Sequence, residues 1–412
     1  MERRVVITGL GLISPLGIGK ELFWQSLVEG RSGIRRLTRF DPTGYDCQIG
    51  GEIPDDSYKD LIEPKRLRRM TNVAQLAVSG AQMALADADL SPSWRNPHAV
   101  GVILGSSTGG FKESLEQQAI LLERGTNRIN PFVTLSSFHI NSISAEVAIT
   151  VQTQGLAFTV SGGCASSLNS ISVAADMIRN GTLDVCISGG AESPLSPLMI
   201  AGLCRIQELT TLNESPSQAS RPFDKDHQGL VVSEGSCVLV LEERTHAERR
   251  GASIYGEILG YALGCEAYEA FGLEPSGENA AYTLQEALAR AHMTATEIEW
   301  INAHGSSCPN WDRKETRILK KALGEAAYSI PISATKSVMG HTFGAAASFQ
   351  IASAILGMQH SCIPPTINLD TPDPECDLDY VPHSARPFAP QTCLINAFAY
   401  GGLNSFLLLR KG

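Results

Sequence analysis

The sequence predicts an α/β protein with a largely parallel sheet covered by helices on both faces. Short apolar runs that end in glycine or small polar residues recur along the chain of 412 residues, beginning with V-V-I-T-G-L-G and V-G-V-I-L-G-S-S-T-G-G. Between these runs lie segments with the apolar spacing of helices. Strands that alternate with helices are typical of a sheet layered with helices. A chain of this length forms one large domain or two fused halves.

Ten apolar runs are predicted to be strands, in two series of five. The first series covers residues 5–11, 100–110, 156–164, 184–192 and 237–242, and the second covers 254–261, 298–305, 330–337, 392–402 and 405–410. The clearest helical patterns between them are 72–88, 166–179, 279–292 and 344–359. The two series resemble each other as patterns of elements and meet within 242–256. We therefore divide the chain into an N-terminal half, 1–250, and a C-terminal half, 251–412.

The composition is that of a globular protein, with 43% hydrophobic and 18% charged residues. A net charge of -10 argues against nonspecific binding to nucleic acid or to a membrane surface, because both are anionic. The first apolar run is short and breaks at Gly9, which indicates a strand rather than a signal peptide. The most apolar later segment contains Gln350 and is too short to span a bilayer. We expect a cytoplasmic protein without a membrane segment.

The ten cysteines show neither CxxC spacing nor the clusters with histidine that are typical of zinc sites. The sequence therefore predicts no metal site. In a cytoplasmic protein these cysteines are expected to be reduced thiols.

One cysteine, Cys164, lies in the unusual stretch V-S-G-G-C-A-S-S-L-N-S-I. A predicted strand precedes it and a predicted helix follows, and Gly162 and Gly163 are free to adopt positive φ at the turn between them. The N-terminus of a helix lowers the pKa of a nearby thiol, and its N–H groups can stabilise an oxyanion. Taken alone, Cys164 is as compatible with an inert buried thiol as with a nucleophile.

Other turns carry residues that could act with Cys164. Lys336 and His341 lie in A-T-K-S-V-M-G-H-T-F-G-A-A-A, directly after a predicted strand, and His304 ends another strand in I-N-A-H-G-S-S. Ligands of α/β sheets collect at the carboxyl ends of strands. A single histidine at such a place is usually structural, whereas two with a cysteine and a lysine favour a catalytic site. Glu315, on the following helix, is the expected charge partner of Lys336.

These motifs resemble those of the beta-ketoacyl-acyl-carrier-protein synthases, condensing enzymes with the thiolase fold. The resemblance spans the whole chain and includes V-S-G-G-C-A-S-S, R-P-F-D-K-D-H-Q-G-L-V-V-S-E-G, I-N-A-H-G-S-S, K-S-V-M-G-H and A-Y-G-G-L-N. It implies an α/β thiolase fold of two similar βαβ halves, with mixed sheets layered with helices in the order αβαβα. The stretch P-P-T-I-N-L-D-T-P-D-P-E-C-D-L-D-Y-V-P resembles the alpha-type ketosynthase subunits of bacterial type II polyketide synthases.

The resemblance implies roles in a decarboxylative Claisen condensation. Cys164 would hold the acyl chain as a thioester, while His304 and His341 would stabilise the enolate formed from malonyl. The backbone N–H groups of Cys164 and Tyr400 would bind the tetrahedral oxygen. Lys336 and Glu315 would order the site and bias the protonation of the histidines. No metal or redox cofactor is implied, because the substrates are carried on the phosphopantetheine of an acyl carrier protein.

Several residues depart from the pattern of the family. Tyr400 and Ala399 stand where phenylalanine and glycine are usual in the loop that gates the acyl pocket, which also contains Gly401. Loss of the glycine is expected to stiffen this loop, and Leu403 replaces a threonine in it. Ser306 and Cys308 stand where threonines usually contact the pantetheine arm, and a thiol is a weak hydrogen-bond partner.

A basic cluster is the candidate docking surface for the acidic carrier protein. It comprises Lys65, Arg66, Arg68 and Arg69 in E-P-K-R-L-R-R-M, with Arg205 near the corresponding face in the family. Because charges are screened over about 8 Å at physiological salt, a local basic patch matters more than the negative net charge. The alternative is a solvated, charged helix end.

The leading hypothesis is an elongating ketosynthase of aromatic or polyene polyketide biosynthesis, paired with a chain-length-factor paralogue as a heterodimer. The alternative within the same class is a fatty-acid elongating 3-oxoacyl synthase that acts as a homodimer. A non-catalytic partner subunit would not retain the Cys164 nucleophile or both histidines. A Cys–His thioester hydrolase would leave the second histidine and Lys336 without a role, and a binding module would leave the nucleophile turn unexplained.

Overall fold

The computed structural model describes residues 3–272 and 274–412. The strands are β1 (Val5–Ser14), β2 (Gly17–Ile18), β3 (Arg35–Arg36), β4 (Ile49–Gly50), β5 (Val100–Gly105), β6 (Ala157–Val160), β7 (Val185–Glu192), β8 (Gly235–Glu243), β9 (Gly256–Cys265), β10 (Ile301–Asn302), β11 (Ile332–Ser333), β12 (Cys362–Ile363), β13 (Arg386–Pro387), β14 (Thr392–Ala399) and β15 (Leu403–Lys411). The α-helices are α1 (Lys20–Val28), α2 (Pro64–Leu67), α3 (Asn72–Asp87), α4 (Phe111–Arg124), α5 (Pro131–Phe138), α6 (Ser142–Val151), α7 (Ser166–Arg179), α8 (Pro197–Arg205), α9 (Arg244–Arg249), α10 (Glu278–Arg290), α11 (Pro309–Leu323), α12 (Lys336–Met339) and α13 (Ala346–His360).

All ten predicted strands and all four predicted helical segments are confirmed. The helical pattern at 166–179 coincides with α7, and the pattern at 344–359 forms a short 3-10 turn followed by α13. The segment 133–151, outside the predicted elements, forms most of helices α5 and α6.

One large mixed sheet has the strand order β11-β10-β14-β15-β9-β1-β8-β7-β5-β6, with β2 paired to β1. Strands are parallel only towards its two ends, where β10 pairs with β11 and β14, and β5 pairs with β6 and β7. Every pairing from β14 through β9 and β1 to β7 is antiparallel. The mixed sheet that the family resemblance implies is therefore confirmed, and the expectation of a largely parallel sheet is wrong. One cause is that only residues 400–402 connect β14 to β15, and such a short turn joins antiparallel strands.

The strand order is the same in the two halves of the sheet. Counted from the centre, the N-terminal half has β1, β8, β7, β5 and β6, while the C-terminal half has β9, β15, β14, β10 and β11. In each half this places the first, fifth, fourth, second and third strand in that order. The resemblance between the two series of strands is thus a repeated topology.

Helices α7 and α13 pack against each other and against the strands of both halves. Helix α7 lies on β5 and β7, and α13 lies on β14 and β10, while α3 and α10 contact β1 and β9. Almost all of α13 is buried, because small residues such as Ala347 and Ala352 let its neighbours approach closely. The carboxyl ends of β6, β10 and β11 lead into the turns that carry the predicted site residues. No helix in the described part of the chain is long and apolar enough to cross a membrane.

Candidate active site

Cys164 lies in the turn between strand β6 and helix α7. Gly163 has a φ of +56°, a left-handed conformation that glycine adopts without steric cost. The hydroxyl of Ser166 accepts a hydrogen bond from the Gly162 N–H (2.9 Å) and donates one to the Gly163 carbonyl (2.6 Å), which fixes the turn. The thiol therefore lies directly before the first turn of α7, as the sequence predicts.

A narrow pocket brings Cys164, His304 and His341 together. The ring centres of the two imidazoles are 5.2 Å apart and the rings are nearly perpendicular (81°). His304 follows strand β10 and His341 follows helix α12, so two turns of the C-terminal half meet the nucleophile turn of the N-terminal half. The remaining lining is mostly apolar and comprises Leu230, Ser306, Cys308, Trp311, Phe343, Phe398, Ala399 and Tyr400.

Backbone hydrogen bonds select the same tautomer in both histidines. The Phe398 N–H donates to Nδ1 of His304 (3.4 Å), and the Phe343 N–H donates to Nδ1 of His341 (3.1 Å). Burial lowers the pKa of both imidazoles well below the usual value, and the nearby charge of Lys336 lowers it further. Each neutral ring therefore carries its proton on Nε2, so the site contains two uncharged N–H donors.

Burial is also the largest influence on the pKa of the Cys164 thiol. It raises the pKa of Cys164 to about 12, although the positive charge of Lys336 lowers it. The sequence predicted the opposite direction from the position of Cys164 at the N-terminus of α7. The difference arises because the low dielectric of the closed pocket disfavours the thiolate. The side chain of Cys164 is thus a protonated thiol at neutral pH.

Glu315 and Lys336 hold the backbone of His304 from opposite sides. The Glu315 carboxylate accepts from the N–H groups of His304 (2.7 Å) and Gly305 (2.8 Å) and from the side-chain amide of Asn396 (2.8 Å). The Lys336 ammonium donates to the His304 carbonyl (2.5 Å). Burial raises the pKa of Glu315 and lowers that of Lys336. The expected direct ion pair is not present among the described residues, because the His304 peptide lies between the two charges.

The turn 400–402 connects β14 to β15 beside the thiol. Its backbone is held by the Gly401 N–H, which donates to the Ala270 carbonyl (2.8 Å), and by the Gly402 carbonyl, which accepts from the Glu266 N–H (2.9 Å). Ala399 is buried against the nucleophile turn: a Cβ added to Gly163 would come within 2.9 Å of the Ala399 Cβ.

Ser306 and Cys308 both line the pocket, and both already form hydrogen bonds with other residues of the protein. The backbone N–H of Ser306 donates to Asp312 (2.9 Å), as does its hydroxyl (3.3 Å), and that hydroxyl accepts from the Cys308 N–H (3.2 Å). The Cys308 thiol contacts the Glu208 carbonyl (3.6 Å), and burial raises its pKa well above the usual value. Cys308 is therefore a second thiol near Cys164, though a buried one.

The predicted docking residues differ in their exposure. Arg66 forms an ion pair with Glu146 (2.7 Å), and the Arg69 guanidinium lies 4.4 Å from the centre of the Phe132 ring. Lys65, Arg68 and Arg69 are exposed, whereas Arg66 is partly buried. Arg205 is exposed at the end of α8 and lines a separate hollow.

Several buried polar residues that support the site were not singled out from the sequence. Gln350 on α13 donates to the carbonyls of Asn302 (2.9 Å), Ala303 (2.8 Å) and Asn396 (3.1 Å), and it accepts from Lys336 (3.2 Å). Its presence in a mostly apolar, buried helix was a usable signal, because a buried amide requires partners.

Two carboxylates, Asp312 and Glu192, support the site in the same way. Asp312 holds Ser306, and it also accepts from the N–H of Phe223 (2.9 Å). Glu192 ends strand β7 and ties the loop after β5 to the turn before α13, accepting from the N–H groups of Ser107 (2.7 Å) and Gly344 (2.9 Å). Except for Ser306, the partners named here are distant in sequence, which is why the sequence did not reveal these supports.

Comparison with known proteins identifies the class. The chain matches the family model described as "Beta-ketoacyl synthase, N-terminal domain" over residues 2–247 and the model "Beta-ketoacyl synthase, C-terminal domain" over residues 255–370. The chain belongs to the beta-ketoacyl synthase family and is an acyltransferase of the condensing-enzyme type, with the thiolase fold.

Its relatives come from two kinds of pathway. The chain is 40% identical over 410 residues to 3-oxoacyl-[acyl-carrier-protein] synthase 2 of Synechocystis sp., covering 100% of this chain and 98% of the relative. It is 39% identical over 416 residues to the granaticin polyketide putative beta-ketoacyl synthase 1 of Streptomyces violaceoruber, covering 100% and 99%.

Two solved structures of similar proteins align with this chain from end to end, so that 100% of each chain is matched. One is the ishigamide ketosynthase/chain length factor, with a TM-score of 0.93 and 32% identity. The other is AntDE:AntF, a type II polyketide synthase acyl-carrier protein in complex with its ketosynthase bound to the hexaketide, with a TM-score of 0.90 and 31% identity.

Proposed function

We propose that this protein is an elongating ketosynthase of type II polyketide biosynthesis, which joins malonyl units on an acyl carrier protein to an acyl chain held on Cys164. The observation that carries the proposal is one buried pocket with a thiol at a helix N-terminus and two neutral imidazoles that each present an N–H. A thioester-forming nucleophile and a pair of oxyanion donors are the groups that a decarboxylative condensation requires.

Acyl transfer comes first in this scheme. The Cys164 sulfur attacks the carrier thioester, and the proton that Cys164 loses is taken up by the departing carrier thiol. The positive charge of Lys336 favours the transient thiolate, because it lowers the Cys164 pKa against the effect of burial.

Condensation follows when malonyl enters on the carrier. Loss of carbon dioxide leaves an enolate whose oxygen accepts hydrogen bonds from His304 and His341. The enolate carbon attacks the Cys164 thioester, forming a carbon–carbon bond and breaking the bond between the acyl carbon and sulfur. The departing Cys164 thiolate then takes up one proton from solvent, which balances the loss of the malonyl carboxylate as carbon dioxide. The backbone N–H groups of Cys164 and Tyr400 would hold the tetrahedral oxygen. In the described part of the chain neither of these N–H groups donates to another residue.

The proposal assigns the nucleophile to one half of the chain, 1–250, and the two histidines to the other, 251–412. It requires no metal or redox cofactor. Its substrates are carried on phosphopantetheine, whose arm would pass Ser306 and Cys308, and the carrier protein would dock on Lys65, Arg66, Arg68, Arg69 and Arg205. We place the reaction in the cytoplasm.

A chain-length-factor paralogue is the proposed partner. Strand β6 ends the sheet, and its four residues are only partly buried. Large apolar side chains are exposed on the neighbouring helices α5 and α6: Leu135 is 63% exposed, Phe138 69% and Ile149 64%. A partner that extends the sheet beyond β6 would bury them.

The second candidate is fatty-acid elongation by a homodimer, which the 40% identity to a 3-oxoacyl synthase favours. The two candidates differ in what the protein does alone. The polyketide proposal fails if the protein without any paralogue is a stable dimer that elongates saturated acyl chains at full rate.

The test uses intact-mass measurement after incubation with an acyl-loaded carrier protein. We expect an adduct that disappears in Cys164→Ala and persists in Cys265→Ala, the matched change at an exposed cysteine. Cys308→Ala identifies any labelling of the second thiol. Malonyl-carrier should then discharge the adduct into a longer chain. If no adduct forms even with a candidate paralogue present, the protein is a non-catalytic partner subunit.

A further inference from the structure

The hydroxyl of Tyr400 is buried in the active-site region without a partner. Within residues 3–272 and 274–412 no group meets the full geometry of a hydrogen bond to it, although the Glu208 carboxylate lies close enough to raise its pKa as a weak, poorly aligned acceptor. A buried hydroxyl without a partner is costly, and native structures usually satisfy it with protein, water or a ligand. This atom is therefore available to a substrate.

The ring of Tyr400 is held in place by two other aromatic rings. The centre of Trp311 lies 5.9 Å away at an interplanar angle of 74°, and the centre of Phe271 lies 5.5 Å away at 59°. Trp311 also contacts His304, with ring centres 6.4 Å apart. These contacts hold the Tyr400 ring, and neither aromatic neighbour offers its hydroxyl an oxygen acceptor.

The surroundings keep this hydroxyl protonated. Burial raises the pKa of Tyr400, and the nearby Glu208 carboxylate and the thiols of Cys308 and Cys164 raise it further. The Tyr400 hydroxyl is thus a hydrogen-bond donor at every physiological pH, and it lies close to the nucleophile. The other walls near Cys164 are apolar and include Phe343 and Phe398.

We propose that the Tyr400 hydroxyl donates a hydrogen bond to an oxygen at the β-position of the acyl chain on Cys164, and so selects β-oxygenated chains over saturated ones. This inference rests on the proposed function, because it needs an acyl chain on the thiol. A β-keto oxygen would satisfy the donor. A saturated chain would exclude water from it and leave it unpaired, which corresponds to a discrimination of about ten- to hundredfold.

The test compares acetoacetyl and butyryl groups, which have the same length and differ only in the β-oxygen. Each is loaded on the same carrier protein, and the rate of transfer to Cys164 is measured by rapid quenching and intact mass. We expect the unmodified protein to prefer acetoacetyl by about ten- to hundredfold. Tyr400→Phe keeps the ring and its contacts, and we expect it to reduce this preference to less than about threefold.

Tyr282→Phe is the matched control, since Tyr282 is exposed on α10. It should retain the preference of the unmodified protein. Equal transfer rates for the two acyl groups in the unmodified protein, or an undiminished preference in Tyr400→Phe, would overturn this inference while leaving the proposed function intact. Failure of both acyl groups to load Cys164 even with a candidate paralogue present would instead overturn the proposed function.

Discussion

Glu315→Gln tests whether the carboxylate positions His304 through its backbone. The carboxylate accepts three N–H donors at 2.7–2.8 Å, and the glutamine retains only one acceptor oxygen. At least one donor would then face the new amide group, at a cost of about 1.5–3 kcal/mol for a bond to a charged group. Burial opposes the charge of Glu315, so its removal offsets part of this loss. We expect the free energy of unfolding to fall by about 2 kcal/mol.

The two half-reactions should respond differently to this change. The nucleophile turn makes no hydrogen bond to Glu315, so acyl transfer to Cys164 should stay within about threefold of the unmodified rate. Condensation uses the His304 N–H and should slow by about ten- to hundredfold. Urea unfolding, intact mass and quenched single-turnover condensation measure the three quantities. Glu325→Gln makes the same change at an exposed site and should alter none of them. Equal slowing of both steps, or normal condensation, would refute the positioning role.

Three further predictions concern the nucleophile and the carrier protein. Because burial raises the Cys164 pKa, the rate at which iodoacetamide alkylates Cys164 should increase steadily from pH 6 to pH 9. A plateau below pH 8 would mean that the N-terminus of α7 lowers the Cys164 pKa by more than burial raises it. Gly163→Ala should lower the free energy of unfolding by about 1–2 kcal/mol and slow acyl transfer by more than tenfold. The reason is that the φ of +56° and the 2.9 Å approach to Ala399 both exclude a Cβ at this position. Urea unfolding measures the stability and intact mass the transfer rate, and a normal transfer rate would contradict the prediction. Lys65→Glu should raise the KM for carrier-bound substrate by about three- to tenfold at low salt, and less at high salt. Arg410→Glu, at the opposite end of β15 from the turn 400–402, should leave the KM unchanged; equal KM values for the two variants would argue against docking at Lys65.

The fold was largely predictable because its signals are local. Apolar runs that end in glycine located the strands, and 3.6-residue spacing located α3, α7, α10 and α13. The antiparallel centre of the sheet was not predicted, although the short connection between residues 399 and 403 carried that information. Alternation of strands and helices indicates the layers but does not fix the direction of every strand.

The convergence of the candidate side chains Cys164, His304 and His341 in one pocket was predictable because each lies on a turn directly after a strand or beside a helix end. Their supports were predictable only in part: the sequence pointed to Glu315 and Lys336, but Glu315 binds the backbone N–H groups of His304 and Gly305 instead of pairing with Lys336. The same holds for the basic cluster. Arg66 and Arg69 are already engaged by Glu146 and Phe132, and only the packing of α2 against its neighbours reveals this.

Burial explains why the ionisable groups of the site behave alike. It raises the Cys164 pKa and lowers those of His304, His341 and Lys336, so that each shift favours the neutral form. A pocket of this kind disfavours any net charge, including that of a malonyl carboxylate. Loss of carbon dioxide removes that charge from the carboxylate and transfers it to the enolate oxygen. There the Nε2–H groups of His304 and His341 can donate hydrogen bonds to it. Because hydrogen bonds to an anion are stronger in a low-dielectric site, the burial that protonates the nucleophile would also favour the decarboxylation that supplies the attacking carbon.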